Sequence, residues 1–529
     1  ALSRRLINTD MNKGIILGCL QQNPGWQGAL GALNPNWVNL KRSGGAHKIA
    51  TFMRKEGWDI EVLDYWLAFE EHEFKQFARS RITQDTKFIG VSVTFGYKLD
   101  LLQRAQDHLK WLKEEYPDVT IIAGSKMLVD IMVLPCDYYV CGYGEYGLIK
   151  LLKGEATITK FQGLNCVMAD IHHPCFPSKD LRVEYEDRDF IQPTDTLTLE
   201  LSRGCKFKCK FCSYNAIGMK GDLTRDMDTL YDEMLSNYER FGVTSYHVAD
   251  ETTNDNQEKI RFAGSEIQKL PFKPNLTGFI RADILSTRED DKKYLAEMGF
   301  WAQYYGVETF NQTAGRTVGK GIDPDKLKRG LLDTKDYMNK HCGRYRATTS
   351  LILGLPYETS ESLYDGLNWY REHMPNENLV MQPLYINRQI NELMFASSEF
   401  GRTWRQSGHF HPEEIKEEIT AEDYAEFSEH PMLQGYIKKL HSEQHNLHWS
   451  HDSYTWKSAI LELARTMQQG LYDPRINRIM TWDLFNFITP GTYDYDSVLE
   501  LSIMGYDVKK LTEDTNTYIK NYKEAKLNA

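Results

Sequence analysis

Short apolar runs separated by amphipathic stretches make up the first part of the chain, residues 11–155. Five of these runs have the length of a single strand: GIILGC (14–19), DIEVLD (59–64), KFIGVSV (87–93), DVTIIAG (118–124) and DYYVC (137–141). Between them apolar residues recur at helical spacing, as in 46–57 and 99–116. Strands that are apolar throughout are buried on both faces, so the pattern predicts a doubly wound parallel sheet covered by helices.

The carboxyl ends of these strands carry glycine-containing loops: QQNPGW, TFGY, AGSK and CGYGEYG. Ligands of doubly wound sheets bind beyond the carboxyl ends of the strands, and glycine lets the backbone approach a ligand closely. The loops therefore predict a ligand site at this edge, although the glycines could instead serve only to make tight turns.

Residues 196–390 repeat a strand–helix pattern six times. The predicted strands are TLTLELS (196–202), TSYHVAD (244–250), NLTGFIR (275–281), WAQYYGV (301–307), RATTSLIL (346–353) and NLVMQPL (378–384). The predicted helices lie at 226–241, 257–269, 289–298, 324–340 and 359–373. Consecutive β/α units predict a barrel or an open partial barrel, with functional groups at the carboxyl ends of its strands.

The rest of the chain is less periodic. Residues 156–195 are predicted to be an irregular linker. Residues 391–529 are rich in Tyr, Trp and His and predict a mainly helical C-terminal region, with its clearest helix at 453–470. We expect this region to cap the mouth of the barrel and to shape a substrate pocket.

Composition narrows the class of protein. The formal net charge of −11 argues against a general nucleic-acid surface. No window approaches the roughly 18 consecutive apolar residues of a membrane span, and the first residues lack the apolar core of a signal peptide. Nine cysteines at scattered spacing do not predict a disulfide framework. A reducing, cytoplasmic location is therefore expected.

Three of the nine cysteines lie within eight residues of the stretch SRGCKFKCKFC (202–212). Cys205, Cys209 and Cys212 form a C-x3-C-x2-C pattern directly after the first predicted barrel strand. Structural zinc sites normally have four ligands, and no fourth cysteine or histidine is close by in the sequence. A four-iron cluster held by three thiolates would leave one iron open to a ligand from outside the protein. The aromatic ring of Phe211 could pack against a bound heterocycle beside such a cluster.

This cysteine pattern, with an aromatic residue before its last cysteine, resembles the radical S-adenosylmethionine (SAM) superfamily. Three downstream stretches agree in order and spacing: VADETTND (248–255), GVETFNQ (306–312) and LILGLPYETSES (351–362). They resemble the second-, fourth- and fifth-strand motifs of members with an N-terminal cobalamin-type domain. The resemblance covers about residues 11–390 and leaves the remainder unassigned.

The resemblance implies a set of cofactor-binding roles. Cys205, Cys209 and Cys212 would ligate three irons of a [4Fe-4S] cluster, and the amino and carboxylate groups of SAM would bind the fourth. Further candidate contacts to SAM are as follows: Asp250 and Glu251 at the methionine amino group, Arg281 or Glu308 at the carboxylate or ribose, and Leu353, Gly354 and Phe211 around the adenine. Arg281 and Glu308 could instead form an ion pair with each other at the mouth of the barrel.

Residues 11–155 resemble the cobalamin-binding domain of the same class. If cobalamin binds, the loops 20–26, 94–97, 124–126 and 142–146 would surround it. The candidate residues in these loops are Thr94, Phe95, Gly124, Ser125, Gly142 and Glu145. The D-x-H-x-x-G motif, which supplies a histidine ligand in some cobalamin proteins, is absent. Class members without this motif include some that bind cobalamin and some that do not.

The resemblance implies a radical SAM enzyme, and with cobalamin the expected reaction is methyl transfer to an unactivated carbon. Without cobalamin the same radical could drive epimerisation, cyclisation or oxidation. A non-catalytic iron–sulfur or cobalamin-binding protein is the alternative of another class. The expected partners are a small-molecule or peptide substrate and an electron donor such as flavodoxin or ferredoxin. The sequence does not identify the substrate.

Overall fold

The computed structural model describes residues 12–18, 42–93, 99–125, 128–168, 181–214, 221, 223–386, 398–411, 416–442, 447–472 and 508–529. The chain divides into two units. The first comprises Ala1–Leu199, Glu233–Val243 and Asp507–Ala529, and the second comprises Glu200–Asp232 and Thr244–Tyr506. No helix in the described ranges is both long and apolar enough to cross a membrane.

A seven-stranded sheet forms the centre of the first unit. Its strands are β1 (Lys13–Gly18), β2 (Asp59–Asp64), β3 (Thr86–Ser92), β4 (Thr120–Ser125), β5 (Tyr138–Cys141), β6 (Thr159–Phe161) and β7 (Leu164–Met168), in the order β2-β1-β3-β4-β5-β7-β6. All pairs are parallel except β6 with β7. The accompanying helices are α1 (Gly44–Lys55), α2 (Glu71–Arg81), α3 (Leu99–Glu115), α4 (Leu128–Ile131) and α5 (Gly144–Leu152).

Helix α1 illustrates why the apolar pattern produces this unit. Ala46, Ala50 and Met53 recur every three to four residues, so they lie on one face of the helix. All three are fully buried, in one cluster with strand residues that include Val62 and Phe88. The alternation of apolar strands and amphipathic helices thus builds the parallel sheet that the sequence predicts.

The predicted linker 156–195 is not irregular throughout, and this part of the prediction is wrong. Strands β6 and β7 form a hairpin that extends the first sheet beyond β5. Its turn residues, Gln162 and Gly163, have φ values of 47° and 83°. Two successive residues with positive φ match the tight turns whose twist suits a hairpin. The strands are only three and five residues long, too short for their residue pattern to predict them.

The second sheet has six strands, and a separate ribbon of two further strands lies beside the cysteine loop. The strands are β8 (Thr196–Leu199), β9 (Ser202–Arg203), β10 (Leu223–Thr224), β11 (Ser245–Val248), β12 (Asn275–Arg281), β13 (Ala302–Glu308), β14 (Arg346–Leu353) and β15 (Asn378–Pro383). The ribbon pairs β9 with β10, and the sheet follows the order β15-β14-β13-β12-β11-β8. The strand pairs from β11 to β15 are parallel. This sheet confirms the predicted partial barrel.

Helices follow the strands of the second sheet as the β/α pattern requires. They are α6 (Asp228–Phe241), α7 (Gln257–Ile267), α8 (Ala282–Leu285), α9 (Asp291–Glu297), α10 (Gln312–Val318), α11 (Pro324–Cys342) and α12 (Ser360–His373). The later described helices are α13 (Glu399–Thr403), α14 (Ala421–Ala425), α15 (Pro431–His441), α16 (Trp456–Gln468) and α17 (Val508–Asn528).

The predicted C-terminal region is shared between the two units, because α17 belongs to the first. The backbone N–H of Asp64, at the end of β2, donates to the Tyr522 hydroxyl at 2.9 Å. The guanidinium of Arg42 lies 4.8 Å from the centre of the Tyr522 ring. Arg42 is itself buried and pairs with Asp64 and Asp195. Helix α17 therefore covers a buried network of charges at the carboxyl end of β2.

Candidate functional site

The cysteine loop begins at a turn that requires glycine. Gly204 has a φ of 106°, a conformation that residues with a side chain rarely adopt, and it turns the chain away from the first barrel strand. The backbone of Lys210 then fixes the middle of the loop. Its N–H donates to the Val318 carbonyl at 3.3 Å, and its carbonyl accepts from the Phe400 N–H at 3.1 Å. The loop is therefore held by segments from α10 and α13, far from it in sequence.

Asp250 holds the segment that leads into this loop. Its carboxylate accepts from the backbone N–H groups of Leu201 and Ser202 at 2.7 and 3.1 Å, and from the Ser202 hydroxyl at 2.8 Å. The Lys259 ammonium donates to the same carboxylate at 3.1 Å and to the Ser202 hydroxyl at 2.7 Å. Asp250 and Lys259 are both buried, and burial raises the pKa of Asp250. These contacts give Asp250 a positioning role, and the sequence had offered no signal for Lys259.

The three thiols lie in one partly buried environment and form no disulfide. Burial raises the pKa of Cys205, and burial together with Cys209 and Glu251 raises the pKa of Cys212 to about 11. The Cys205 Sγ lies 3.9 Å from the Thr252 Oγ1. Glu251, which is half-buried, also raises the pKa of Cys212, and Asp255 also raises that of Cys205.

Three thiols on one loop provide the ligand type that iron–sulfur clusters require. In the described part of the chain, no three His, Cys, Asp or Glu side chains converge on a single metal ion. A [4Fe-4S] cluster does not need such convergence, because each thiolate binds a different iron. The donor set therefore fits a cluster with three cysteine ligands.

Arg281, at the end of β12, contacts the cysteine loop directly. Its Nη1 donates to the Cys209 Sγ at 3.4 Å, and its guanidinium lies 3.8 Å from the centre of the Phe207 ring. Its Nε and Nη2 donate to the two carboxylate oxygens of Asp283 at 3.0 and 2.6 Å. Nη2 also donates to the Gly319 carbonyl at 3.1 Å. Arg281 thus joins the cysteine loop to α8 and to the end of α10.

Glu308 occupies a strained position at the end of β13. Its φ is 68°, and the pairing of β13 with β14 shifts register between Gly306 and Glu308. Its carboxylate accepts from the Lys320 ammonium at 2.7 Å, and this ammonium lies 5.8 Å from the centre of the Phe211 ring. The alternative ion pair between Arg281 and Glu308 is not formed, because each pairs with a different neighbour.

A side chain at Gly306 would collide with this arrangement. A Cβ there would come within 2.6 Å of the Lys320 Nζ and 2.7 Å of the Glu308 Oε1. The positive φ of Glu308 is a strained backbone conformation. Such strain persists only where the surrounding structure enforces it, and it occurs often at functional sites. The positive φ of Glu308 therefore marks the Glu308–Lys320 pair as part of the candidate site.

The turn after β14 is packed by residues of the C-terminal region. Gly354 has a φ of 90°, and a Cβ at this position would come within 2.5 Å of the Trp449 ring. Its carbonyl is 2.9 Å from the His451 Nε2. The Leu353 carbonyl accepts from the Leu384 N–H at 2.8 Å. The turn predicted to line an adenine is therefore fixed by contacts that no local sequence pattern reveals.

Glu358, four residues after Gly354, is a buried carboxylate that the sequence analysis did not select. Its carboxylate accepts from the Thr309 hydroxyl at 2.6 Å. Burial raises the pKa of Glu358 to about 7. The sequence feature that points to Glu358 is its place in the stretch GLPYE, within the predicted fifth-strand motif.

The candidate cobalamin residues that can be placed lie at the carboxyl edge of the first sheet. Gly124 and Ser125 end β4, and the Ser125 carbonyl accepts from the Gly142 N–H, just after β5, at 2.8 Å. A Cβ on Gly124 would meet only one atom within 4 Å, at 3.9 Å, and Gly142 has a φ of 101°. Glu145 is buried in the first turn of α5. Thr94, Phe95 and the loop 20–26 lie outside the described residues.

Residues 199–369 match the family described as the radical SAM superfamily. A curated relative, an uncharacterized methyltransferase from Pyrococcus horikoshii, is 24% identical over 162 residues, which is 31% of this chain. The match spans about one third of the length of that relative, or 34%.

Solved structures share the fold along most of the chain. One is the radical SAM methyltransferase TsrM from Kitasatospora setae with cobalamin and a [4Fe-4S] cluster bound, at a TM-score of 0.57 and 13% identity, covering 97% of this chain and 99% of that one. Another is OxsB, a cobalamin-dependent SAM radical enzyme with aqua-cobalamin and SAM bound, at a TM-score of 0.51 and 14% identity, covering 98% and 83%. The predicted order of a doubly wound sheet and a partial barrel is thus also the fold of these proteins.

Proposed function

We propose that this chain, whose residues 199–369 form a radical SAM domain, is a cobalamin-dependent enzyme that transfers a methyl group to an unactivated carbon. The observation that carries the proposal is the cysteine loop. Three thiols within eight residues follow the first strand of a radical SAM domain and have the donor chemistry of a cluster site.

In this proposal Cys205, Cys209 and Cys212 hold a [4Fe-4S] cluster, with one iron left to the amino and carboxylate groups of SAM. When bound, the cluster and SAM supply one-electron cleavage that gives a 5′-deoxyadenosyl radical, and cobalamin supplies the methyl group. Glu251 is proposed for the methionine amino group. Asp250 instead positions the loop, since its carboxylate already accepts four hydrogen bonds.

The other residues of the second unit are proposed to orient SAM. The Glu308–Lys320 pair and Phe211 provide a charged edge and an aromatic face beside the cysteine loop. Leu353 and Gly354 would line the adenine with a turn whose carbonyls are already bonded to the protein. Such a turn need not reorganise when a ligand binds, which lowers the entropy cost of binding.

In the first unit, cobalamin is proposed to bind over the carboxyl ends of β4 and β5. The open space at Gly124 and the positive φ of Gly142 allow the backbone to approach a large planar ligand closely. Ser125 and Glu145 would supply the polar groups. The proposed partners are a small-molecule or peptide substrate and a one-electron donor such as flavodoxin or ferredoxin, and the proposed location is the cytoplasm.

Anaerobic reconstitution tests the proposal. Protein supplied with iron, sulfide and SAM should release 5′-deoxyadenosine on reduction, and protein supplied with hydroxocobalamin should retain a corrin absorption spectrum. Cys209→Ala should lose both the cluster and the cleavage, whereas Cys342→Ala, a thiol on α11, should keep both. If the protein cleaves SAM but retains no corrin, a cobalamin-independent radical reaction would replace methyl transfer as the proposed activity. Retained cleavage in Cys209→Ala would refute the cluster assignment.

A further inference from the structure

The hydrogen-bonding edge of Arg281 that could grip a carboxylate is already occupied. A guanidinium binds a carboxylate best in bidentate fashion through two parallel N–H groups. In Arg281 the Nε and Nη2 groups make this contact with Asp283, at 3.0 and 2.6 Å. Phe207 covers one face of the guanidinium at 3.8 Å. The expected role of Arg281 in holding the carboxylate or ribose of SAM therefore does not follow from its contacts.

Two further contacts of this guanidinium remain. Its Nη2 also donates to the Gly319 carbonyl at 3.1 Å, and its Nη1 contacts a proposed cluster ligand. Nη1 donates to the Cys209 Sγ at 3.4 Å, within the usual range for a hydrogen bond to sulfur. Arg281 is 6% exposed and Cys209 is 9% exposed. Solvent therefore screens this cation from the sulfur far less than it would screen an exposed lysine such as Lys206 or Lys208.

We propose that Arg281 is a positioning residue that holds the cysteine loop and sets the reduction potential of the cluster through Cys209. This inference rests on the proposed function, because it requires the cluster. A cation and a hydrogen bond at a ligand sulfur stabilise the more negative, reduced state of a cluster. Arg281 therefore makes the cluster easier to reduce, and its removal shifts the potential to a more negative value.

The side chain of Arg281 can be changed without removing the backbone contacts that hold this part of β12. The Arg281 N–H donates to the Asn254 side chain at 2.9 Å, and the Arg281 carbonyl accepts from the same side chain at 3.1 Å. Asn254 is fully buried. A substitution at Arg281 therefore removes the side-chain contacts, which are to Cys209, Phe207, Asp283 and the Gly319 carbonyl, and leaves the strand end anchored.

The test is a potentiometric titration of the reconstituted cluster, followed by electron paramagnetic resonance, in the full chain. Arg281→Gln should lower the equilibrium constant for cluster reduction about tenfold, which for one electron is about 59 mV. Arg281→Lys keeps the positive charge but loses the planar guanidinium group with its several N–H donors. It should shift the reduction potential in the same direction by a smaller amount. Arg261→Gln is the matched control, since Arg261 lies exposed on α7 and pairs only with Glu258 among its described ion pairs, and it should match the wild type.

Binding of SAM is measured on the same samples. A wild-type potential in Arg281→Gln, with weakened SAM binding, would assign Arg281 to the SAM carboxylate and overturn the inference. If Arg281→Gln binds no iron, Asp283→Asn is titrated instead, because it releases the guanidinium from its anchor. A wild-type potential in Asp283→Asn would then overturn the inference as well. Failure of the proposed function is distinct: wild-type protein would hold no four-iron cluster at all.

Discussion

Lys526 of α17 is a buried cation whose removal should destabilise the first unit. Its Nζ donates to the carbonyls of Val62 and Arg188 at 2.8 and 2.7 Å, and to the Glu61 carboxylate at 3.2 Å. The Lys526 side chain is fully buried, and burial lowers its pKa. Lys526→Met keeps the length of the side chain and removes all three hydrogen bonds, so two carbonyls and one carboxylate oxygen lose their partner.

The expected loss can be bounded from these contacts. Removing one partner of a buried ion pair costs about 3–5 kcal/mol, because the other charge is left uncompensated. Glu61 keeps a second cation, since the Arg81 Nε lies 3.2 Å from its other oxygen. The compensation that remains puts the expected loss at the lower end of the range, about 3 kcal/mol. Lys520 of the same helix is the matched control, because its side chain is 73% exposed and pairs only with Glu524 among its described ion pairs.

Hydrogen exchange read by mass spectrometry measures this loss where it occurs. Lys526→Met should speed amide exchange in α17 and β2, while exchange in β14 of the other unit stays as in the wild type. A loss of 3 kcal/mol corresponds to roughly a 150-fold rise in the population of the open state. Lys520→Met should change exchange less than about twofold, as expected for an exposed pair. Equal exchange in the two variants would refute the assignment of α17 as a buried part of the first unit.

Two further predictions concern the second unit. Gly354→Ala should lower the free energy of unfolding by about 2–5 kcal/mol, as measured by urea denaturation, because the alanine would have a left-handed backbone and would collide with Trp449. Gly408→Ala is the control for the backbone cost alone, because Gly408 has a φ of 73° and lies in open space. An equal loss of stability in both variants would argue against the collision. In protein without iron, iodoacetamide should modify Cys212 about 200-fold more slowly at pH 8 than it modifies an exposed thiol of pKa about 8.5, because a pKa of about 11 leaves little thiolate. The rate of modification, measured by peptide mass spectrometry, should rise until about pH 11. A pH profile with its midpoint near pH 8.5 would contradict this prediction.

The strands were predictable where a short run is rich in apolar and β-branched residues and is bounded by polar ones. Strand β2 was predicted at 59–64, β12 at 275–281 and β14 at 346–353, and the structure has these bounds. The β6–β7 hairpin is not predicted because its strands are only three and five residues long. Its signal was the Gln162-Gly163 turn, which periodicity does not register. The assignment of α17 to the first unit could not be predicted, since it depends on contacts with residues more than 400 positions away.

The candidate site was predictable only where the chemistry is local in sequence. The spacing of Cys205, Cys209 and Cys212 predicts a cluster loop because the three proposed ligands are close together in the sequence. Two partners of Arg281, Cys209 and Gly319, lie 72 and 38 residues away in the sequence, so no spacing reveals them. Asp250 was selected for its acidity, but its environment is set by Lys259, which lies in an ordinary helical stretch. Local patterns thus identify ligand types, whereas distant contacts decide which of them face a ligand.

The first unit is formed by three separate stretches of the chain, and this affects how it folds during synthesis. Domains usually fold in the order in which they leave the ribosome, with the N-terminal one first. Here the strands of the first sheet are made early, but the helix that buries Arg42 and Asp64 is made only after the whole second unit. Until then, the charges at the end of β2 stay without their cover. A nascent chain paused before residue 508 should therefore present an incomplete first unit to chaperones and proteases, even when its sheet has already formed.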